Sequence, residues 1–293
     1  FAVVGFTNLS QDHLDFHKDM EDYFAAKAKL FTFEYADLAV INLDDPYGKR
    51  LAAQTELPVV TLSRLDTTAT WHYASIASDY VGASISIRGS GGILIEGKTA
   101  LHGGFNYDNL LMAVAIAVES GIDPIDIAAI LPTLTGAVGR LEAVRLGQNF
   151  TALVDYAHSP DAVKRVLETA AEITDGKVIA VLGCGGDRDK TKRTLMGQAL
   201  HEGADIAIYT SDNPRSEKAE DILVQMVLDI DVAPPSEVIV DRAQAIRTAV
   251  NLAQAGDVVM VLGKGHEKGQ EVNGQIHEFD DRIELAKAIE DKK

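Results

Sequence analysis

From Phe150 onward, short apolar runs alternate with amphipathic stretches: "TALVDYAHSPDAVKRVLETAAEI", "KVIAVLGCGGDRD", "ADIAIYTSDNPRSEKAEDILVQMVLDI" and "DVVMVLGKGHEKGQ". A short, unbroken apolar run followed by a helical pattern reads as a fully buried parallel strand and its crossover. This half is therefore expected to form a parallel sheet covered by helices. Each strand runs into a polar or glycine-rich loop: "DYAHSP", "GCGGDRDK", "TSDNPR" and "GKGHE". Open parallel sheets bind ligands outside the carboxyl ends of their strands. Asp155, His158, Arg188, Lys190, Asn213, Arg215, Lys264, His266 and Glu267 are thus expected to converge on one crevice. Pro214 pushes Asn213 out of the helical region and opens the backbone into a turn. Arg215 is then expected at a strand end with its guanidinium free, as surface punctuation or as a charge aimed at a ligand.

Taken singly, these residues have plainer readings. Arg188 and Lys190 can be a solvated charge run, and His266 a structural histidine. Gly185-Gly186 can be only a turn, because "GCGG" is neither a dinucleotide fingerprint nor a phosphate loop. Cys184 reads as a small buried residue. Four charged loops on one sheet edge are harder to explain that way.

The first half has a different texture. Asp12 to Phe33 carries a helical pattern, and "DLAVINLDD" reads as a short buried strand closed by a polar turn. Residues 59–105 alternate in period two, with β-branched residues and glycine turns, and are expected to form antiparallel strands. "NLLMAVAIAVESGI" (Asn109–Ile122) and "DPIDIAAIL" follow as helices. The change of texture puts a domain boundary near Gly139–Gln148. "FAVVGF" at the start reads as a strand already inside a sheet, so the chain is expected to be cut at its N-terminus.

A chain of 293 residues, 46% of them hydrophobic, can bury a large core and is expected to form two domains. Its net charge of −17 argues against a nucleic-acid or membrane-surface protein, since both need basic patches. The single cysteine excludes an intrachain disulfide framework and suits the cytosol. No apolar run approaches the roughly 18 residues of a membrane span.

In "NLSQDHLDFH", His13 and His17 would share one helix face, with Asp12 and Asp15 close by. That spacing can hold a transition metal, and it is equally the polar start of a helix. Lys27 reads as an ordinary helix lysine. Asn106 and Asn109 lie three apart, on one helix face or at its cap.

Together these segments resemble the Mur ligases, specifically the MurE type. "TNLSQDHLDFH", "AAKAKLF", "FNYDNLLMA", "GRLE", "VDYAHSPDA", "GCGGDRDKTKR", "SDNPRSE" and "GKGHE" occur in that family's order across essentially the whole chain. "DHLDFH" and "FNYDN" indicate a Mur-type ligase, while "GCGGDRDKTKR", "DNPR" and "GKGHE" together are specific for the MurE type. The resemblance implies an α/β fold: the remainder of a central ATPase domain with an antiparallel β portion over residues 1–140, then a Rossmann-like C-terminal domain over 141–293. It implies a cytoplasmic, monomeric, ATP- and Mg2+-dependent amide ligase of peptidoglycan precursor synthesis, acting on small molecules and on neither nucleic acid nor membrane. The substrate carboxylate is phosphorylated by ATP and the incoming amine attacks the acyl phosphate.

At the matching positions, His13 is implied as a metal ligand and Lys27 as a carbamylated lysine serving metal and catalysis. Asn106 and Asn109 are implied as adenine-side contacts, and Arg140 and Asp155 as phosphate and ribose contacts. Arg188, Asp212, Asn213, Pro214, Arg215, Gly263 and Glu267 are implied as the meso-diaminopimelate pocket. There Arg215 would pair with the distal carboxylate and Glu267 would suit the distal ammonium; lysine has no such carboxylate to offer.

The family's uridine-nucleotide domain and its "GxxGKT/S" loop have no counterpart here, and "GKT" at Gly97–Thr99 lies in the β region. The chain alone is therefore expected to be inactive. Competing readings are a lysine-adding relative, a ligase of the folate-extending type, a metal-dependent hydrolase built on His13, Asp15 and His17, and a non-catalytic amino-acid-binding fragment.

Overall fold

A computed structural model of the protein describes residues 1–9, 17–79 and 82–292. The chain divides into two compact units, one built from residues 1–78 and 82–134, the other from 79–81 and 135–293.

In the first unit the elements run β1 (Val3–Phe6), α1 (Met20–Ala28), β2 (Leu38–Asn42), α2 (Pro46–Gln54), β3 (Val59–Ser63), β4 (Trp71–Asp79), β5 (Gly82–Arg88), β6 (Leu94–Thr99), α3 (Gly104–Glu119) and α4 (Pro124–Ile130). The strands form one sheet in the order β1-β2-β3-β4-β5-β6. β1, β2 and β3 are parallel, and β5 and β6 antiparallel. The antiparallel expectation for 59–105 thus fails at its start: β3 lies parallel to β2, and β4 meets the end of β3 in parallel over Leu62–Ser63. Period-two alternation reports a half-buried strand and not the direction of its neighbour. The "GKT" segment is the end of β6, paired with β5, and so is no phosphate loop.

Of the helical pattern expected over 12–33, residues 12–16 lie outside the described residues, and among the described ones α1 covers only Met20–Ala28. Asp19, in extended conformation, accepts from the Asp22 N–H and caps α1, which ends at Ala28. α3 packs Tyr107, Leu110, Leu111 and Ala115 on one sheet face, against Trp71, Ile85, Ile87 and Ile95. α1 and α2 bring Phe24 and Leu51 to a cluster with Val4, Phe6, Ala39 and Ile41 on the other.

The second unit runs β7 (Glu142–Ala143), β8 (Thr151–Asp155), α5 (Pro160–Glu172), β9 (Val178–Cys184), α6 (Thr191–Gly203), β10 (Ile206–Ser211), α7 (Ala219–Met226), β11 (Glu237–Val238), α8 (Arg242–Leu252), β12 (Val258–Leu262), the hairpin β13 (Gly269–Val272) and β14 (Gln275–Glu278), and α9 (Asp281–Lys292). Sheet order is β11-β10-β9-β12-β8-β7. All neighbours from β11 to β8 are parallel, and only edge strand β7 is antiparallel. β8, β9, β10 and β12 are buried at every residue, as a parallel sheet covered on both faces requires.

Side chains alternate between the faces. Leu153, Ala180, Leu182, Tyr209 and Met260 meet Val163, Leu167, Met196, Leu200 and Leu223 of α5, α6 and α7. Val154, Ile179, Val181, Ile208 and Val261 meet Ala245, Ile246, Leu285 and Ile289 of α8 and α9. The unit is doubly wound, as expected. Its order departs from a simple Rossmann sheet because β12, last of the parallel strands in sequence, inserts between β8 and β9. That insertion brings the loop after β12 beside those after β8 and β9.

Candidate functional site

The loops at the carboxyl ends of β8, β9, β10 and β12 enclose a cavity of about 450 Å³, whose walls include Tyr156, His158, Gly183, Arg188, Asp212 and Glu267. Two features fix its rim. Arg242, fully buried at the start of α8, pairs bidentately with buried Asp281, with Nε and Nη2 each 2.7 Å from a carboxylate oxygen. The same guanidinium donates to the carbonyls of Leu262 (2.8 Å) and Ser211 (3.2 Å). One arginine thereby ties the last residues of β12 and β10 together.

The second feature is a brace between the loop after β9 and the turn after β10. Gly186 N–H donates to Asn213 O (2.8 Å), and Ser216 donates to the Asp187 carboxylate from both N–H and hydroxyl. Glu217 accepts from Asp187 N–H (2.7 Å) and from both Nη atoms of Arg193. Hydrogen bonds from Arg193, Asp187 and Lys190 hold the Glu217 carboxyl well below the usual carboxylate range. A side chain on Gly186 would collide with the Pro214 carbonyl, so the pair of glycines here is a close backbone approach and not merely a turn.

The expected residues fall into three groups. Arg188, His158 and Glu267 line the cavity. Asp212 and Gly263 line it too, and Asn213 and Lys264 support it through their bonds to Glu267. Lys264 is wholly buried, and its Nζ donates to Asn213 Oδ1 (3.1 Å) and Glu267 Oε2 (3.2 Å), with Asp212 at 4.0 Å. Asn213 Nδ2 donates to the same Glu267 oxygen at 2.9 Å. Burial works against the Glu267 charge, but the bonds from Asn213 and Lys264 and the nearby Arg215 win and lower its pKa. Burial pushes the Asp212 carboxyl up, against the pull of Arg242 and Lys264. Gly263 sits at φ 110°, and a side chain there would come within 2.8 Å of Asp212 Oδ2. This position accepts glycine alone without strain.

Arg215 is not free, contrary to expectation. It adopts the left-handed region (φ 52°) and carries the turn into a bridge with Val272 of β13. Its Nη1 donates to Gly186 O at 2.7 Å, and its Nε lies 3.3 Å from Glu271 Oε2. Pro214 shapes the turn and lends its carbonyl to Glu217 N–H.

The third group is not among the residues that line the cavity. Asp155 accepts from Leu141 N–H and Ala157 N–H, both at 2.8 Å, and burial raises its pKa despite those bonds. Both of its oxygens bind backbone, so in this structure it pins the 139–141 turn to β8. The Arg140 guanidinium lies 5.1 Å over the Tyr156 ring, which also faces the His158 and His266 rings. Lys190 is drawn to Glu217 at 3.2 Å.

Sequence reading missed Arg193, Glu217 and Tyr156. Arg193 had a signal: with Met196, Gly197 and Leu200 it forms the buried face of α6, a charge at a core position.

In the first unit, a cavity of about 390 Å³ is lined by residues including Asn8, Asn42, Asp44, Phe105, Asp108 and Asn109. The acids there are already engaged. Asp44 holds the Ser63 hydroxyl and Arg64 N–H, Asp45 caps α2, and Asp108 pairs with Arg64 at 2.8 Å. Amides beside the exposed ring of Phe105 suit the edge and face of a nitrogenous base, whereas the carboxylates disfavour phosphate. Asn109 lines this cavity; Asn106 is buried and donates to His102 O at 2.9 Å.

His13, Asp12 and Asp15 lie outside the described residues. His17 precedes α1, 3.1 Å from Asp22 and stacked on Tyr23. Lys27 is exposed, its Nζ 5.1 Å over the same Tyr23 ring. Among the described residues no group of three or more His, Cys, Asp or Glu side chains could hold a metal, so they do not by themselves fit the implied magnesium. No helix among them is long and apolar enough to cross a membrane.

Comparison with known proteins agrees with this two-unit reading. Residues 1–117 match the Mur ligase middle domain, and residues 139–265 match the Mur ligase glutamate ligase domain. The UDP-N-acetylmuramoyl-L-alanyl-D-glutamate–2,6-diaminopimelate ligase of Streptomyces coelicolor is 46% identical over 295 residues, covering 99% of this chain and 58% of that protein. Its counterpart in Streptomyces avermitilis is 43% identical, with 99% and 58% covered. A solved structure of a ligase of the same name superposes with a TM-score of 0.77 at 39% identity, over 99% of this chain and 60% of the other. The chain thus spans somewhat under two thirds of the length of these relatives. With both domains matched in order and the identity carried along nearly its whole length, the chain belongs to the Mur ligase family.

Proposed function

We propose that the protein carrying this chain is an ATP-dependent amide ligase that adds meso-diaminopimelate to UDP-N-acetylmuramoyl-L-alanyl-D-glutamate, and that the cavity of the second unit binds the amino acid. The observation that carries this is the charge layout of one cavity. Arg188 and Glu267 line it, and Arg215, outside that lining, bonds the carbonyl of Gly186, the residue next to the lining Gly185. A ligand with carboxylates at two ends and an ammonium between them and the wall matches two guanidinium groups and one ionised glutamate.

Each residue then has a task. Arg215 and Arg188 take carboxylates. Glu267, held ionised by Asn213 and Lys264, takes an ammonium. Gly263 leaves the space that a side chain would fill, and the Arg193–Glu217 brace holds both loops in register. Lysine has no distal carboxylate and forgoes that contact with Arg215, which lowers its affinity relative to diaminopimelate. Chemistry at the growing peptide is implied by the family resemblance: ATP supplies the activated carboxylate that the bound amine attacks. Asn109 and the amide-lined cavity of the first unit are proposed to meet the adenine, with Asn106 shaping the helix behind it. Arg140, over Tyr156, is proposed to meet phosphate, and Asp155 to hold that turn. His13 and Lys27, the latter as a carbamate, are proposed metal ligands on the resemblance alone. Action as a cytoplasmic monomer on small molecules belongs to the same proposal.

The test is ligation by the protein in the full length its relatives have, with ATP, UDP-N-acetylmuramoyl-L-alanyl-D-glutamate and either meso-diaminopimelate or L-lysine. Product with diaminopimelate alone is expected. Product with lysine sinks the reading of the pocket, and product with neither sinks the ligase.

A further inference from the structure

The hairpin β13–β14 brings a carboxylate of the protein's own to the cation assigned above to the ligand. Glu271 on β13 is fixed by its backbone: its N–H donates to Asn213 Oδ1 (3.0 Å), and its carbonyl accepts from Arg215 N–H (2.9 Å). Its side chain reaches back, placing Oε2 3.3 Å from Arg215 Nε. A guanidinium offers five N–H donors, and a carboxylate binds best along an edge that supplies two parallel bonds. Gly186 O takes one Nη1 hydrogen, and the Glu271 carboxylate stands as an ion-pair partner 3.3 Å from Nε, in front of one half of the Nε–Nη2 edge. Among the described residues, neither Nε nor Nη2 has a hydrogen-bond partner.

We propose that Glu271 is a specificity-determining residue: it stands where a ligand carboxylate would dock on Arg215, and an incoming diacid must displace it. This rests on the amino-acid pocket proposed above. Glu271 is suited to yielding. The two side chains are 38% and 23% exposed, and an ion pair so open to water holds weakly. Because the backbone bonds of residue 271 do not involve the side chain, displacement leaves the hairpin docked. The consequence is selective: Glu271 lowers affinity for any amino acid with a second carboxylate and leaves one without it unaffected. It also keeps Arg215 partnered when no ligand is present, so that the left-handed turn does not hold an unpaired cation.

The opposite possibility, that Glu271 aims Arg215 at the ligand, predicts the opposite sign. Calorimetric titration of the 293-residue chain with meso-diaminopimelate and, separately, L-lysine decides between them. In Glu271→Gln, and likewise in Glu271→Ala, diaminopimelate is expected to bind roughly two- to fivefold more tightly, the range for release of an exposed ion pair. L-Lysine should be unchanged. Unchanged or weaker diaminopimelate binding in both variants, or equal tightening of both amino acids, overturns the inference. It leaves the pocket standing so long as wild type prefers diaminopimelate. A wild type without that preference overturns the pocket and this inference together.

Discussion

Arg215→Ala is expected to weaken meso-diaminopimelate binding by roughly two- to hundredfold and to leave L-lysine nearly untouched. The magnitude follows from what Arg215 already does. A charge-assisted hydrogen bond to a ligand carboxylate contributes about 1.5–3 kcal/mol. From this must be taken the contact with Glu271 that the ligand replaces, an exposed pair of about 0.2–1 kcal/mol. The bond to Gly186 O is kept and drops out. About 0.5–2.8 kcal/mol remains, which converts to that range of Kd. Calorimetry on wild type and variant with each amino acid provides the measurement. Arg215→Lys should recover little, because an ammonium cannot span both carboxylate oxygens. An alanine variant that keeps the wild-type preference would refute the reasoning, as would equal losses for both amino acids; the second would mean that Arg215 only shapes the turn.

Gly263→Ala is expected to lower stability by about 1–3 kcal/mol in urea titration, since φ 110° and Asp212 Oδ2 at 2.8 Å both oppose a side chain; a loss within error would show that the loop relaxes freely. Asp281→Asn strands the buried Arg242 and is expected to lower stability by about 3–5 kcal/mol, whereas Arg242→Met with Asp281→Leu should recover most of it. Equal losses in the two proteins would mean that the carbonyls of Ser211 and Leu262 depend on the guanidinium as much as Asp281 does. Glu267 has a folded-state pKa below its ordinary 4.5, so its contribution to stability is fully present above that value and is lost as pH falls through the depressed one. The difference in unfolding free energy between wild type and Glu267→Gln should hold steady from pH 7 to 5 and shrink only below; shrinkage already at pH 6 would mean that the carboxylate is not held ionised.

The amino-acid sequence by itself determined the layered plan. Unbroken apolar runs such as "KVIAVL" and "DVVMVL" can satisfy their backbone only in a sheet covered on both sides, so β8, β9, β10 and β12 and their helices were legible without coordinates. The rule that ligands gather beyond parallel strand ends then pointed to the loops that enclose the cavity of the second unit, because chain direction and sheet edge are local properties. The direction of β3 was not legible, since alternation is the same in parallel and antiparallel neighbours. Nor was the start of α1, where one capping bond from Asp19 outweighed a longer helical pattern. Only the tertiary structure decided which charges are spent and which are available. Asp155 turned onto backbone, Lys264 was drawn under Glu267, and Arg193 was buried against Glu217. Arg215 was met by Glu271, a residue 56 positions away by their numbers in the chain. The physical reason is range. Secondary structure follows from neighbours along the chain, whereas a charge is set free or neutralised by whatever the fold brings within about 4 Å of it.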